Sequence, residues 1–406
     1  MPNLEKPIFS PMKQQSVFFP NLDGLRFFSF FVVFLSHSFV SSEPDIVQSA
    51  WYQVVKGSVA SYSAMGVSFF FVLSGFLISY LLLLEKENNG GINVPYFYLR
   101  RVLRIWPVYY VIVIFGFFIF PFIKGYMGQS AHETASLRLC ATFLNNFNNI
   151  KNGVPDASCL AVLWSVAIEE QFYLVWPLLL FKTPKKYYLA VMSGVVGIST
   201  LFRMLSYKTT NIDEHTLGVI TDMAMGGIGA YLMIYNQRPK RAVENLPRAF
   251  LAVLYAIVVA LMCVKDLLYY NTAVWILNRL LMSTVFITII LEQNFCRQSL
   301  FKVSSLGLVS RLGKYTYGLY CYHMIAILAV STLLGKFALN HHSWQIWLLE
   351  LPLSLLLSVG ISYISYHYFE RFFLALKDRF VIVRSNKVVK AKPAPVSVEM
   401  LEIAEA

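Results

Sequence analysis

The feature that most constrains this chain is a recurrence of apolar stretches about 20 residues long, each enough for one helix to cross a bilayer. They fall near 27–42, 66–84, 105–123, 161–181, 187–206, 216–235, 249–265, 272–291, 315–336 and 345–369. Hydrocarbon cannot satisfy exposed backbone N–H and C=O groups, so such stretches fold as helices that satisfy their own. The expected architecture is all-α: a polytopic membrane helical bundle of about ten transmembrane helices. Only 14% of the residues are charged, against about 25% in soluble domains, which excludes an ordinary soluble fold. The fourth stretch is the least regular, because LWSVAIEEQFYLVWP carries Glu169 and Glu170 side by side. Lipid does not tolerate that pair, so the segment is either an interior helix or partly re-entrant.

A formal net charge of +12 would suit nucleic acid, but the lysines and arginines gather in alternate connecting segments. That is the positive-inside pattern, and it places both termini in the cytoplasm. Three parts are expected: a cytoplasmic N-terminal segment over 1–20, an integral membrane domain over 21–376, and a mobile cytoplasmic tail over 377–406. The tail is too short for a second enzymatic domain. A removable signal peptide is not expected, since the first apolar run follows some twenty polar residues and lacks a small-residue cleavage site. Two outward loops, about 43–65 and 124–160, exceed what connection needs. The first carries Trp51 and Tyr52; the second is Asn-rich and holds Cys140 and Cys159, which would pair in an oxidising exterior if their Cα atoms approach closely enough. Five cysteines without CxxC or Cys/His spacing give no expectation of a metal.

Candidate chemistry begins in NLDGLRFFSFFVVFLSH, residues 21–37. Arg26 and His37 are eleven residues apart, about three helical turns, so they share a face with a rise of roughly 16 Å between them. An ionisable group at that depth faces a protein interior or a wet cavity, either satisfied by polar neighbours or functional. Arg101 and Arg104 stand at i, i+3 in YLRRVLRIWP, as ordinary interfacial flanking or as a phosphate clamp. Trp164, Ser165 and Glu169 lie within about one turn, and Thr316, Tyr320 and His323 form one stripe in YTYGLYCYH. Gly66, Ser68, Ser74 and Gly75 suit close helix packing. Glu370 beside Arg371 reads as a solvated helix end. Arg203, Asp222 and Arg279 within apolar windows would instead suit a transporter or flippase for a polar solute, the competing reading.

Arg26-x10-His37 in LDGLR…H, GVSFFFVLSGFL, LRRVLRIWP, LWSVAIEEQFYLVWP, GKYTYGLYCYH and YHYFER occur in this order over residues 21–373. Together they resemble membrane acyltransferase family 3. The resemblance implies an O-acetyltransferase of the bacterial cytoplasmic (inner) membrane. Its donor would be acetyl-CoA or another acyl-CoA, and its acceptor a hydroxyl of a cell-surface carbohydrate or glycolipid. Carried onto this sequence, His37 would act as general base, with Glu169 or His323 orienting it or holding the acceptor. Arg26, Arg101 and Arg104 would bind the donor phosphates. Trp164, Ser165, Tyr317 and Tyr320 would contact substrate, with Tyr320 or Ser165 at the oxyanion; Asn145, Asn146 and Trp51 are further polar and aromatic surface for a sugar. Phe27, Phe28 and Phe372 depart from the family pattern, which leaves pocket shape and acceptor open. Without the esterase-like domain fused to some relatives, the chain would be the stand-alone form.

Overall fold

The computed structural model describes residues 18–39, 41, 43–130, 132–207, 211–263 and 272–380. Most of the expected terminal segments, 1–20 and 377–406, lies outside them. Among the described residues all regular structure is helical. The main helices are α1 (Leu22–Ser38), α2 (Ala50–Asn89), α3 (Val94–Ile114, continued to Tyr126), α4 (Leu163–Lys182), α5 (Tyr188–Leu205) and α6 (Thr216–Tyr235). They are followed by α7 (Arg248–Cys263), α8 (Thr272–Phe295), α9 (Thr316–Lys336), α10 (Leu351–Ser365) and the short α11 (Arg371–Lys377).

Eight described helices are long and apolar enough to cross a membrane, or nine if Gln237–Glu244 and Arg248–Leu261, bent by 88°, count as one span. The expected first span is the short one: α1 has 17 residues, at the lower limit for spanning hydrocarbon. Its neighbour errs the other way. The expected loop over 43–65 is mostly helix, because α2 begins at Ala50 and runs 40 residues, about 60 Å. Hydropathy marks where lipid contact is possible, whereas helicity here continues beyond it. The doubtful fourth span is a continuous helix of 20 residues, and both its acids meet protein, Glu169 accepting from Ser74 and Glu170 from Trp106.

α2 is the central post, packed against α1 on one side and α6 on the other, with α5 behind α6 and α10 against α9. The α2–α6 crossing is backbone on backbone. A Cβ at Gly75 would meet the Met223 carbonyl, and one at Gly226 would meet Val72 O and Phe76 N. Lipid supplies no hydrophobic drive between helices, so close approach through small residues is what holds such a pair.

The intramembrane charges that suited a solute path instead neutralise one another. Asp222 of α6 accepts from Arg279 and Ser283 of α8 and from Ser68 of α2. Arg279 reaches on to Asp213 at 3.2 Å, and Arg203 of α5 meets the same carboxylate at 2.7 Å. Two cations and two anions thus tie four helices together. Glu370 is not a solvated end: it is buried and accepts from Ser365 at 3.0 Å, while Arg371 is exposed. Cys140 and Cys159 are buried and unbridged. Burial also pushes the Cys140 thiol up to about 12.

Candidate active site

α1 and α9 bring the two histidines together. His37, in the last turn of α1, and His323, in the first half of α9, lie with Nδ1 and Nε2 2.9 Å apart and their rings stacked at 5.1 Å. His323 is fully buried, with Phe30 edge-on to its ring; His37 is half-buried. The other nitrogen of His323, Nδ1, lies 2.7 Å from Tyr320 O. A carbonyl only accepts, so that nitrogen carries the proton, and a neutral His323 offers Nε2 as an acceptor. His37 must then donate from Nδ1. Its Nε2 is left as the basic nitrogen of the pair.

A cavity of about 110 Å³ lies between α1, α2, α3, α4 and α9. Arg26, Arg101 and Arg104 line one end of it, and Ser165 and Tyr320 line the other. Arg26 pairs with Asp23 at 2.8 Å. The Arg101 guanidinium lies over the rings of Phe97 (5.4 Å) and Tyr173 (5.6 Å), with Nε buried and lacking a hydrogen-bond partner among the described residues. Neither Arg101 nor Arg104 forms an ion pair among those residues. Two unpaired guanidiniums at a cavity mouth, one of them with a buried orphan donor, fit a polyanionic group such as a nucleotide's phosphates.

At the far end the Ser165 and Tyr320 hydroxyls are 2.6 Å apart, and each also reaches Val162 O. The cavity stops there. Arg26 lines it and His37 does not; Tyr320 lines it and has its ring 5.7 Å from that of His323. Glu169 also lines the cavity, accepting from Ser74 at 2.7 Å and Tyr173 at 3.1 Å rather than touching either histidine. Tyr317 lines it while donating to Ile105 O at 2.7 Å. Trp164 lies outside the cavity lining, edge-on to Phe71. Asn145 and Asn146 are buried, and Asn146 ties the 145–152 helix to Glu214 O and Thr216.

Three neighbours of the cavity were not picked out from sequence as site residues. Tyr173 follows Glu169 by four residues, so helical spacing could have found it. Ser74 sits on another helix, and no spacing links it to Glu169. Lys377, at the end of α11, lies near enough to Arg101 and Arg104 to repel them. The chain beyond it is pinned to α3, with Phe380 O accepting from Arg100 at 2.8 Å.

Residues 19–367 match the acyltransferase domain of the family designated Acyl_transf_3. The chain belongs to that acyltransferase family. The chain is 28% identical over 332 residues to a peptidoglycan O-acetyltransferase of Listeria monocytogenes, OatA, covering 75% of this chain and 48% of that one. It is 26% identical over 377 residues to a Bacillus subtilis protein, YrhL, named provisionally as a peptidoglycan O-acetyltransferase, covering 88% of this chain and 55% of that one. The chain thus spans about half the length of these curated relatives. An uncharacterized Haemophilus influenzae protein is 30% identical over 155 residues, 36% of this chain and 62% of its own. No solved structure matches.

Proposed function

We propose that this acyltransferase is a membrane O-acetyltransferase with His37 as its general base. In this reading the arginine end faces the cytoplasm and binds acyl-CoA, and the acceptor alcohol arrives from the opposite side of a bacterial cytoplasmic membrane. Peptidoglycan is the first acceptor to try, since two relatives are named for it. Support comes above all from the hydrogen-bond chain Tyr320 O, His323, His37, which leaves one unprotonated imidazole nitrogen held in place.

Arg101 and Arg104 bind the phosphates, with Arg26 beside them, while the cavity takes the acyl-bearing arm. His37 Nε2 accepts the proton of the acceptor hydroxyl as its oxygen attacks the thioester carbonyl. The C–S bond breaks, and His37 returns the proton to the departing sulfur. His323 accepts from His37 Nδ1 throughout, fixing the ring and sharing its transient charge. The Tyr320 or Ser165 hydroxyl donates to the developing oxyanion once the bond between them opens.

The test is transfer of label from acetyl-CoA to muropeptide acceptors by the purified full chain in proteoliposomes. His37→Ala should lower transfer by about 10²–10⁴-fold, the usual range for a general base, at unchanged thermal stability. Transfer retained by that variant overturns the assignment of the base.

A further inference from the structure

α4 separates two different spaces. Tyr173 turns into the central cavity, whereas its neighbour Leu174 turns outward into a groove between α4 and α5. That groove, of about 800 Å³, is walled by Leu174, Val175, Leu178 and Leu179 on α4 and by Ala190 and Val191 on α5. From Leu174 to Lys182 it follows α4 for about 12 Å.

One end of the groove closes on Lys182, Thr183, Pro184 and Tyr187. A lysine at a helix C-terminus would ordinarily satisfy the last carbonyls, but Lys86 of α2 already does so, donating to Leu180 O, Phe181 O and Thr183 O at 2.8–3.0 Å. Lys185 is paired with Glu87. Lys182 and Lys186 have no carboxylate partner among the described residues, and the Lys186 ammonium lies 4.8 Å from the centroid of the Tyr187 ring. An apolar slot therefore ends at Lys182, with Lys186 four residues on beside the lining residue Tyr187, and neither ammonium has a carboxylate partner among the described residues.

We infer that this groove binds one anionic phospholipid, its acyl chain along α4 and α5 and its phosphodiester at Lys182 and Lys186. A zwitterionic lipid would set its own ammonium against these lysines, and a free phosphate would leave the apolar length unfilled. The lipid would brace the outer face of the helix whose inner face carries Ser165, Glu169 and Tyr173. The inference does not depend on the proposed reaction.

The experiment is native mass spectrometry of the full chain in detergent with equal amounts of phosphatidylglycerol and phosphatidylcholine. One phosphatidylglycerol should be retained per chain in preference to phosphatidylcholine, and excess inorganic phosphate should not displace it. K182Q/K186Q should weaken retention roughly tenfold or more, as expected for two lysines near an anionic headgroup. Ala190→Trp, which narrows the slot, should weaken retention while both lysines remain. Equal retention of the two lipids, or unchanged phosphatidylglycerol binding in K182Q/K186Q, overturns the inference. So does displacement by phosphate alone.

Discussion

The Tyr320 hydroxyl lies 2.6 Å from that of Ser165, and the two form the inner end of the cavity whose mouth is set by Arg26, Arg101 and Arg104. The Tyr320 ring is 5.7 Å from that of His323, which stacks in turn on His37. In the proposed reaction, one bond between two hydroxyls separates an arriving thioester from its base.

Tyr320→Phe removes that bond and keeps the ring. A net hydrogen-bond contribution of about 1 kcal/mol corresponds to a shift of roughly fivefold between closed and open forms. Ser165→Ala breaks the same bond from the other side. Of the two variants, the one that keeps the oxyanion donor should raise acetyl-CoA hydrolysis without acceptor by about that factor, measured as free thiol released, and the one that removes it should lower turnover by about 10²–10³-fold.

His323→Ala should lower kcat by about 10-fold to 100-fold and leave the donor KM within about twofold, since His323 positions the proposed base and lines no part of the cavity. Steady-state kinetics over a donor titration separates this from loss of fold, which would reduce the active fraction at unchanged turnover per folded molecule.

Arg101→Ala and Arg104→Ala should chiefly weaken donor binding. A charge-assisted hydrogen bond contributes about 1.5–3 kcal/mol, so each change should raise the dissociation constant for acetyl-CoA by roughly 10-fold to 150-fold in calorimetry. Arg101→Lys should recover only part of this, because an ammonium lacks the planar fork.

Asp222→Ala leaves Arg279 buried with half its neutralising charge gone. Breaking a buried pair costs about 3–5 kcal/mol, so the unfolding temperature in detergent should drop steeply while donor affinity per folded molecule holds. Replacing both residues, D222L/R279L, should restore much of the loss. A solute path would not tolerate that double change; a structural tie would.

Asp213 gives the protein an acid-sensitive joint. Burial pushes its carboxyl up, but Arg279 and Arg203 outweigh this and hold it below the usual carboxylate range. The stabilisation is therefore complete above the unfolded value of about 3.9 and is lost as pH falls through the lower folded value. Between pH 5 and 8 this group contributes no slope. Unfolding temperatures should decline below about pH 4, and Asp213→Asn should flatten that decline.

How much was legible from sequence depended on whether a relation lay within one helix. Ser165 and Glu169, four residues apart, do fall on one wall of the cavity, whereas the face shared by Arg26 and His37 does not make one channel, since Arg26 alone of the two lines the cavity. Relations between helices were not readable. Spacing could not tell that Glu169 turns to Ser74 rather than to a histidine, or that Asp222 and Arg279 cancel. Glu370 looked solvated because its cover, Ser365 and the bare surface of Gly318, comes from packing. The length of α2 was missed for a different reason: residues 50–65 are too polar to signal lipid contact, yet contain no proline to interrupt a helix.

The crossing of α2 and α6 has a mechanical consequence. At Gly75 and Gly226 the two main chains touch with no side chain between them, so neither can slide or roll without collision. Ser74 and its bond to Glu169 are anchored to this immobile jaw. Any widening of the interior is left to the other walls, α9 among them, whose Tyr320 would swing away from Ser165 while Ser74 keeps its hold on Glu169.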